Sequence, residues 1–366
     1  MTLYYLPIEP YEERYTKQLD EWVIEALEKR GIDYKRISGT VKDDKIRYGQ
    51  VLDAVGRPLW CFEQARQLLE LLQNGELKSG DKIFATDIWQ FGLEGVAYAS
   101  KLMDKSVEFY GINYAGTFEY YDFLNLRGLT PWAKYYEKML FEWATKVFFG
   151  SEKLREMAIR AGMFSDYRKA VLTGLAFNSK YILKMVGIEK EEDRLKIQKD
   201  NIVVFPHRWD FEKNPQVFLD VVKYVKEREP DIEFIITTSR KEFGGTYPIE
   251  EALKMEKEGL LKIYKGLSKL EYYRLLLKSK IIFSSAKQDT VGYAMLESIT
   301  LGCVPVVNYG VSYEEYLPRI YLYTDGAIEE AGDKIIEFIN KPPKDAYPYI
   351  KRYDKSLDRM LDEMGY

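Results

Sequence analysis

Two pairs of charged residues in the second half of the chain have the types and spacing to bind a nucleotide sugar. Arg208 and Lys213 lie five residues apart, between the apolar run 202–205 and a helical pattern. Cations at a strand-to-helix junction favour a diphosphate, because the helix dipole and the first backbone N–H groups also attract anions. Further along, Asp289 and Glu297 lie eight residues apart at a second loop-to-helix junction, where carboxylates can accept hydrogen bonds from sugar hydroxyls.

Each of these residues also has a purely structural interpretation. Arg208 and Lys213 are also explained as surface cations beside a strand–helix turn, and Asp289 as the N-cap of a helix that starts near residue 290. Glu297 is harder to explain in this way, because its helix face is otherwise apolar and a buried carboxylate needs a partner or ligand hydroxyls. The single histidine, His207, is interpreted as a packing residue. Two cations followed in order by two carboxylates favour the functional interpretation.

Alternating strands and helices are expected to position these residues. In the first half, strands are predicted at 3–7, 33–37, 82–86, 107–112, 146–149 and 171–173, with helices at 15–30, 62–73, 92–103, 131–144 and 151–161. After the densely charged stretch 188–201, interpreted as a linker, strands follow at 202–205, 232–237, 261–265, 281–284 and 304–308, with helices at 215–226, 249–258, 269–278, 290–301, 327–339 and 355–364. Such alternation predicts parallel sheets covered by helices on both faces.

We therefore predict an α/β protein of two doubly wound, Rossmann-like domains that face each other across a cleft. The predicted boundaries are 1–187 for the first domain and 188–345 for the second, with residues 346–366 forming a C-terminal helix that crosses back to the first. Ligands of such sheets bind at the carboxyl ends of the strands. All of the residues singled out here follow a predicted strand.

The composition excludes several classes of protein. The chain has 366 residues, 46% hydrophobic and 31% charged, which suits two globular domains rather than disorder. Cys61 and Cys303 are the only cysteines and His207 the only histidine, so histidine-rich and cysteine-rich metal sites are excluded. A net charge of −4 argues against a protein that coats nucleic acid non-specifically. No apolar run is long enough to span a membrane, and we expect a cytoplasmic protein without a bound metal.

The second half resembles the nucleotide-sugar domain of GT-B glycosyltransferases of the retaining family 4 type. The stretch 207–215, His-Arg-Trp-Asp-Phe-Glu-Lys-Asn-Pro, is similar to the Arg-x4-Lys phosphate motif of that family. Lys-Gly-Leu-Ser at 265–268 is similar to its nucleobase loop, and 289–297 to its Glu-x7-Glu motif. The wording of 207–215 with Ser-Ser-Ala-Lys at 284–287 is closest to the tRNA-queuosine mannosyltransferase-like branch. Residues 8–16 look more like bacteriophage glycosyltransferases of modified DNA bases.

The resemblance implies a nucleoside-diphosphate sugar as the donor, either a UDP-sugar such as UDP-glucose or a GDP-sugar, with no metal and no permanently bound cofactor. It implies catalytic roles for Arg208 and Lys213, which would stabilise the charge that develops on the leaving diphosphate. Asp289 stands where the family has glutamate, which leaves the donor sugar open. The donor-binding residues implied are Arg208, Lys213, Gly266, Leu267, Asp289, Thr290, Val291, Gly292 and Glu297.

The acceptor is expected in the first domain, at the loops that follow the strands ending near residues 86 and 112. A retaining transfer needs no strong base, whereas an inverting one does, and Asp87 and Asp122 are then the candidates. Both are equally well interpreted as helix N-caps. The aromatic run 114–123 is suited to stack on a base or a sugar, or to pack the loop. The predicted acceptor residues are Arg14, Tyr15, Asp87, Gln90, Thr117 and Asp122.

These observations favour a glycosyltransferase that acts on a hydroxyl of a modified base in nucleic acid. Hydroxymethylated pyrimidine in phage DNA, such as hydroxymethylcytosine, is placed ahead of queuosine in tRNA. The alternatives are a transferase for a lipid-linked or surface glycan, and a non-catalytic protein that binds nucleotide sugars or nucleic acid. A local cationic surface is expected from lysines and arginines of the first domain, among them Lys101, Arg127, Lys134 and Lys138. Oligomeric state is left open.

Overall fold

A computed structural model describes residues 1–11, 15–41 and 54–366 of the chain. These residues divide into two compact units. The first unit consists of Met1–Phe177 together with the C-terminal segment Lys355–Tyr366, and the second of Asn178–Asp354. Each unit is built around one six-stranded parallel sheet.

The first unit alternates strands and helices as the sequence predicts. Its strands are β1 (Leu3–Leu6), β2 (Tyr34–Arg36), β3 (Lys82–Ala85), β4 (Glu108–Asn113), β5 (Lys146–Phe149) and β6 (Ala170–Leu172). Its helices are α1 (Tyr15–Lys29), α2 (Gly56–Gln73), α3 (Leu93–Leu102), α4 (Phe123–Leu126), α5 (Thr130–Trp143), α6 (Glu152–Arg160) and, from the end of the chain, α14 (Ser356–Glu363). Helix α2 begins six residues before the prediction, because Pro58 is tolerated in a first helical turn.

The strand order of the first sheet is β2-β1-β3-β4-β5-β6. The central strands are buried along their whole length, which explains why they read as continuous apolar runs. Because β1 has β2 on one side and β3 on the other, the direction of winding reverses between β1 and β3. A crevice at the carboxyl ends of the strands is expected at such a reversal.

The second unit repeats this architecture. Its strands are β7 (Asp200–Phe205), β8 (Glu233–Thr238), β9 (Lys262–Lys265), β10 (Ser279–Ser284), β11 (Val304–Asn308) and β12 (Leu322–Tyr323). Its helices are α7 (Ser179–Met185), α8 (Pro215–Lys226), α9 (Glu250–Lys257), α10 (Lys269–Lys278), α11 (Tyr293–Thr300), α12 (Ile328–Asn340) and α13 (Tyr347–Ile350). The order β12-β11-β10-β7-β8-β9 places the reversal of winding between β7 and β10.

Three local features differ from the sequence-based expectations. Helix α7, which was not predicted, packs against α11, so the second unit begins at Asn178 rather than at residue 188. The stretch interpreted as a linker contains a turn of 3-10 helix at Glu191–Lys196 and the start of β7. Helix α11 begins at Tyr293 with Gly292 as its N-cap, so Asp289 does not cap it.

The C-terminal helix α14 belongs to the first unit. Arg30, just after α1, binds the carboxylates of Asp358 at 2.8 Å and Asp362 at 2.7 Å. Lys146 of β5 forms an ion pair with Glu363 at 2.6 Å. Among the residues that the structure describes, no helix combines the length and apolar character needed to cross a bilayer.

Candidate functional site

The loop that follows β7 carries the predicted cations. Its last residue before α8, Asn214, adopts a left-handed conformation with φ of 50°, which only glycine and asparagine adopt at low cost. Pro215 then occupies the first turn of α8, where its missing N–H costs nothing. This turn brings the side chain of Lys213 to the neighbouring strand end, that of β10.

Lys213 and Asp289 meet at the reversal of winding between β7 and β10. The Nζ of Lys213 donates a hydrogen bond to the carbonyl of Gln288 at 2.8 Å and lies 3.7 Å from the carboxylate of Asp289. Tyr313 OH donates to the same carboxylate oxygen at 2.9 Å. Because an ammonium group has three donors, the one bond to Gln288 leaves Lys213 with protons for a phosphate oxygen. The structure therefore brings together two residues separated by 75 positions in the sequence.

Arg208 is held by carboxylates of its own loop. Its guanidinium binds Glu212 at 2.5 Å and lies 3.3 Å from Asp210, and its side chain remains 40% exposed. Asp210 is buried and also accepts the backbone N–H of Thr246 at 2.7 Å. The guanidinium is thus oriented before any ligand arrives, which lowers the entropic cost of binding an anion.

A second loop braces the phosphate loop. Gly245 lies so close to Trp209 that a Cβ at this position would be 1.8 Å from the Trp209 carbonyl oxygen, and the glycine is therefore obligatory. The indole of Trp209 donates to the carbonyl of Pro248 at 2.9 Å. Tyr247 N–H returns a bond to the Trp209 carbonyl at 3.1 Å. These contacts fix the backbone that carries Arg208.

The first turn of α11 lies beside these charges. Gly292 takes the N-cap position with φ of 83°, and no side chain among the described residues caps this helix start. Val291 is fully buried, and its carbonyl accepts the hydroxyl of Tyr316 at 2.8 Å. Thr290, also buried, completes the predicted segment. A Cβ on Gly292 would be 3.0 Å from the Asp289 carboxylate, so the glycine permits the close approach of that carboxylate to the helix start.

Glu297 is 2% exposed and is bound by two residues of α10. One of its carboxylate oxygens, Oε1, accepts from Lys269 Nζ at 2.6 Å and from Tyr273 OH at 2.8 Å. Lys269 and Tyr273 are four residues apart and so share one face of the helix. The sequence signalled Glu297 but not its two partners. A Ser268–Glu271 capping box, which fixes the start of α10, was the available signal that Lys269 lies in its first turn.

Gly266 and Leu267, the predicted nucleobase loop, connect β9 to α10. Gly266 has φ of 66°, is exposed and donates its N–H to the carbonyl of Arg240 at 2.8 Å. Leu267 is half-buried. The loop therefore leads directly into Lys269, so that the predicted base and ribose contacts are consecutive along one segment.

His207 is a buried neutral imidazole. Burial, with the positive charge of Lys213 as the second cause, lowers the pKa of His207 to about 3. Its ring packs edge-on against Phe205 at 5.0 Å, as expected for a packing residue. Its Nε2 atom is buried and has no hydrogen-bond partner in the described structure.

In the first unit, the reversal of winding between β1 and β3 is filled by an ion-pair network. The buried guanidinium of Arg57 binds Glu9 at 2.8 Å and Asp87 at 3.3 Å, and donates to the side chain of Gln90 at 3.3 Å. Asp87 also accepts the backbone N–H of Trp89 at 3.0 Å. Burial raises the pKa of Asp87, and the charge of Arg57 opposes this shift. The predicted residues Asp87 and Gln90 are thus brought together, around a cation that the sequence analysis missed.

Thr117 and Asp122 lie in the loop after β4, near a third carboxylate. The backbone N–H and hydroxyl of Thr117 both donate to the fully buried Glu137, at 3.0 and 2.5 Å. Asp122 is the N-cap of α4, accepting the N–H of Leu124 at 2.8 Å. Burial, followed by the negative charges of Glu137 and Glu119, raises the pKa of Asp122 to about 8. The capping interpretation of Asp122 is therefore observed, and its carboxyl group is protonated at neutral pH.

The remaining predicted acceptor residues are only partly described. Arg14 lies outside the described residues. Tyr15 is half-buried, and its ring lies 5.8 Å from that of Tyr114. The aromatic run 114–123 divides into packed and exposed members, since Phe118 packs edge-on against Phe141 whereas Tyr120 is 74% exposed. No group of three or more potential metal ligands occurs within residues 1–11, 15–41 and 54–366.

Comparison with known proteins supports the interpretation of the second unit. Residues 187–355 match the family model described as "Glycosyl transferases group 1", somewhat less than half of the chain. The chain is 32% identical over 145 residues to the tRNA-queuosine alpha-mannosyltransferase of Drosophila melanogaster. This alignment covers 38% of the chain and 36% of that protein, so the chain spans only about a third of this relative.

Solved structures of low sequence identity share the fold of the whole chain. OtsA has a TM-score of 0.68 at 11% identity, covering 100% of this chain and 99% of OtsA. The sucrose-phosphate synthase from Thermosynechococcus elongatus has a TM-score of 0.64 at 13% identity, covering 100% and 97%. TarM has a TM-score of 0.58 at 14% identity, and the chain covers 57% of it. The chain has the GT-B fold, with two Rossmann-like α/β domains, and the predicted fold class is confirmed.

Proposed function

We propose that this protein is a glycosyltransferase that moves a sugar from a nucleoside diphosphate to a hydroxyl group. The observation that carries this proposal is the convergence of Lys213, Asp289 and the start of α11 at the reversal of winding in the second sheet. Parallel sheets bind ligands at this point. The match of residues 187–355 to a glycosyltransferase family supports the same chemistry.

In the proposed reaction, the bond between the anomeric carbon and the diphosphate oxygen breaks, and a bond from the acceptor oxygen to that carbon forms. Negative charge develops on the departing diphosphate. Arg208 and Lys213 stabilise this charge more strongly than that of the bound donor, which lowers the barrier. Asp289 accepts hydrogen bonds from hydroxyls of the donor sugar, and Glu297 from those of the ribose. Gly266 and Leu267 lie along the nucleobase.

We infer retention of the anomeric configuration without a metal ion. In a retaining transfer the departing diphosphate takes the acceptor proton, and no protein base is needed. This suits the first unit, where Asp122 is protonated at neutral pH and Asp87 is paired with Arg57. A UDP-sugar or a GDP-sugar fits the arrangement of the second unit equally well. The structural relative HepE from Anabaena, at a TM-score of 0.59 and 13% identity over 100% of this chain and 98% of HepE, was solved with UDP and glucose.

For the acceptor we propose a hydroxyl on a modified nucleobase. The Drosophila relative is named for queuosine in tRNA, which favours that acceptor over the hydroxymethylated base of phage DNA that the sequence analysis placed first. The DNA base remains the alternative within the same chemistry. Both acceptors present a hydroxyl on a base that must be accessible outside a stacked helix.

Nucleotide binding and turnover of Lys213→Ala test the proposal. The wild-type protein is screened against nucleoside diphosphates by thermal shift, and then supplied with the matching sugar donor and with tRNA or hydroxymethylated DNA. We expect turnover to fall by about 10²–10³-fold in Lys213→Ala, as when one electrostatic stabiliser of a transition state is lost. Sugar transfer is followed by mass spectrometry of the digested nucleic acid.

Lys223→Ala is the matched control, because this lysine lies on α8 and pairs only with surface carboxylates. It should retain wild-type turnover. A wild-type protein that binds a nucleotide but never releases sugar from any donor, even at high protein concentration, would show that this fold serves as a binding protein. Wild-type turnover in Lys213→Ala would place the donor elsewhere.

A further inference from the structure

The segment 117–141 of the first unit separates its charges by sign. Its three carboxylates, Glu119, Asp122 and Glu137, are all buried. Its three cations, Arg127, Lys134 and Lys138, are all exposed. Every exposed charge of this fully described segment is therefore positive, although the whole chain carries a net charge of −4.

The same segment exposes large apolar side chains in pairs. Phe123 and Leu126 of α4 are three residues apart and are 42% and 55% exposed. Trp132 and Tyr135 of α5, also three apart, are 50% and 67% exposed. Residues three apart share one face of a helix, and the turn 127–129 joins the two helices directly. Four large side chains of one helical hairpin are thus presented to solvent.

The cations lie among these rings. Lys134 Nζ is 4.9 Å from the centroid of the Tyr135 ring, within cation–π range. Lys138 follows Tyr135 by three residues and Lys134 by four, and therefore continues the same helix face. Tyr120 stands before α4, 74% exposed, with its ring edge-on to that of Tyr121 at 4.9 Å. A contiguous exposed apolar patch of this kind marks an interaction surface.

We propose that this surface binds a single-stranded stretch of nucleic acid, the strand that carries the acceptor base. We call it the aromatic face and define it by Tyr120, Phe123, Trp132, Lys134, Tyr135 and Lys138. Its rings stack on unpaired bases, and its lysines bind the phosphates between them. The buried carboxylates matter as well, because they leave no exposed negative charge in the segment to repel a polyanion.

The arrangement favours nucleic acid over a lipid surface. A helix that lies on a membrane presents a continuous apolar stripe with its cations on the opposite, polar face. On α5 the apolar stripe faces the core through Ala133, Leu140 and Phe141. The outer face alternates aromatic and cationic residues at the same level, Trp132, Lys134, Tyr135 and Lys138. Rings interleaved with cations match the alternation of bases and phosphates along a single strand.

This inference rests on the proposed function, since it supplies the acceptor strand of the same enzyme. The test measures fluorescence anisotropy of a labelled oligothymidylate and of a labelled RNA hairpin with the full-length protein. We expect the double variant Trp132→Ala/Tyr135→Ala to bind at least about tenfold more weakly, because each stacked ring contributes a factor of this order. We expect Lys134→Gln/Lys138→Gln to make the dependence of log K on log salt shallower by about 1.4, at 0.7 for each phosphate contact.

Two matched controls use exposed residues of the same unit outside the segment. Tyr167→Ala removes a ring that is 65% exposed, and Arg160→Gln/Arg168→Gln removes two cations whose side chains are each 79% exposed. Both controls should bind like wild type. All of these positions are exposed, so the melting temperatures of the variants should match that of wild type.

Three results would overturn the proposal: no binding of either nucleic acid by the wild type, equal binding by the face variants, or binding of phosphatidylserine vesicles that the same variants abolish. Slow hydrolysis of the donor sugar, measured in parallel, separates this proposal from the proposed function. Face variants that hydrolyse donor normally but lose the nucleic acid support both. Face-dependent binding by a protein that never hydrolyses any donor supports the aromatic face alone.

Discussion

The two sheets reverse their winding in the same way, yet the polar residues at the two reversals are used differently. In the first unit, Arg57 is enclosed by Glu9 and Asp87, and its side chain is only 5% exposed. In the second unit, Lys213 lies 3.7 Å from Asp289, beside the uncapped start of α11. The first set of charges neutralises itself, whereas the second retains hydrogen-bonding capacity for a ligand.

The comparison teaches that the position of a polar residue after a strand does not decide its role. Asp87 and Asp289 both follow a buried strand of a doubly wound sheet at its reversal of winding. Asp87 accepts a guanidinium and a backbone N–H of its own loop. Asp289 accepts only a tyrosine hydroxyl at hydrogen-bond distance among the contacts described, and its lysine neighbour is farther away. The cation that reaches each carboxylate makes the difference.

Substitution of Arg57 should give the largest effect, and on stability rather than on donor binding. Arg57→Met leaves Glu9 and Asp87 without their cation, and breaking a buried ion pair in this way costs about 3–5 kcal/mol. We expect a large fall in the melting temperature of the first unit, measured by calorimetry, and an unchanged nucleotide affinity. This pattern is the reverse of that expected for Lys213→Ala.

Arg66→Met, on the exposed side of the same helix, is the control and should melt like wild type. If Arg57→Met does not fold, the neutral triple variant Glu9→Gln/Arg57→Met/Asp87→Asn should recover much of the loss, because no buried charge then lacks a partner. Loss of nucleotide affinity at an unchanged melting temperature would instead make Arg57 a ligand-binding residue.

The second prediction concerns Asp122, and it follows from the sign of its pKa shift. The pKa is about 8 in the folded protein and 3.8 in the unfolded chain, so the folded state holds the proton between these values. Stability therefore falls as pH rises through this window, by about 1.4 kcal/mol for each pH unit. Asp122→Asn keeps the cap but cannot ionise, so its stability advantage over wild type should grow from about pH 5 to pH 7. Denaturant unfolding at several pH values measures this.

Asp166→Asn provides the control. Asp166 is also an N-cap, accepting the N–H of Arg168 at 3.0 Å, but its carboxylate is exposed and its pKa is lowered by the hydrogen bond from Arg168. Its replacement should bring no advantage that increases with pH. If Asp122→Asn abolished sugar transfer while the fold remained intact, Asp122 would act as a base, and the reaction would be inverting.

The smallest effect is expected at Lys269, whose ammonium group binds Glu297 at 2.6 Å. Lys269→Met leaves Tyr273 as the remaining partner of that oxygen and allows the carboxylate to turn. We expect nucleotide affinity, measured by calorimetry, to weaken about tenfold, as for the loss of one hydrogen bond to a charged group. The loss should be smaller for the 2′-deoxyribonucleotide, because the ribose hydroxyl is the expected ligand of Glu297.

Lys278→Met, at the exposed end of the same helix, should bind both nucleotides as wild type does. An equal loss for ribose and deoxyribose nucleotides in Lys269→Met would show that Lys269 only stabilises the fold. An unchanged affinity for both would separate Glu297 from nucleotide binding.

Much of the fold was predictable because its signals are local. Strand β5 and helices α8 and α10 occur with the predicted bounds, since continuous apolar runs and amphipathic periods are properties of neighbouring residues. The fold class is confirmed for the same reason. Helix α7 and the two-residue strand β12 escaped prediction because packing against other elements, rather than their own pattern, holds them in place.

The sequence by itself determined the βα alternation, the two domains and the order of the donor motif, because each depends on residue types at short spacing. Tertiary structure decided which polar residues meet. It enclosed Arg57 between two carboxylates, raised the pKa of Asp122 by burial and placed Lys269 on Glu297. It also buried every carboxylate of segment 117–141 and left the lysines outside. Burial and charge pairing depend on residues far apart in the chain, and only the folded chain brings them within hydrogen-bond distance.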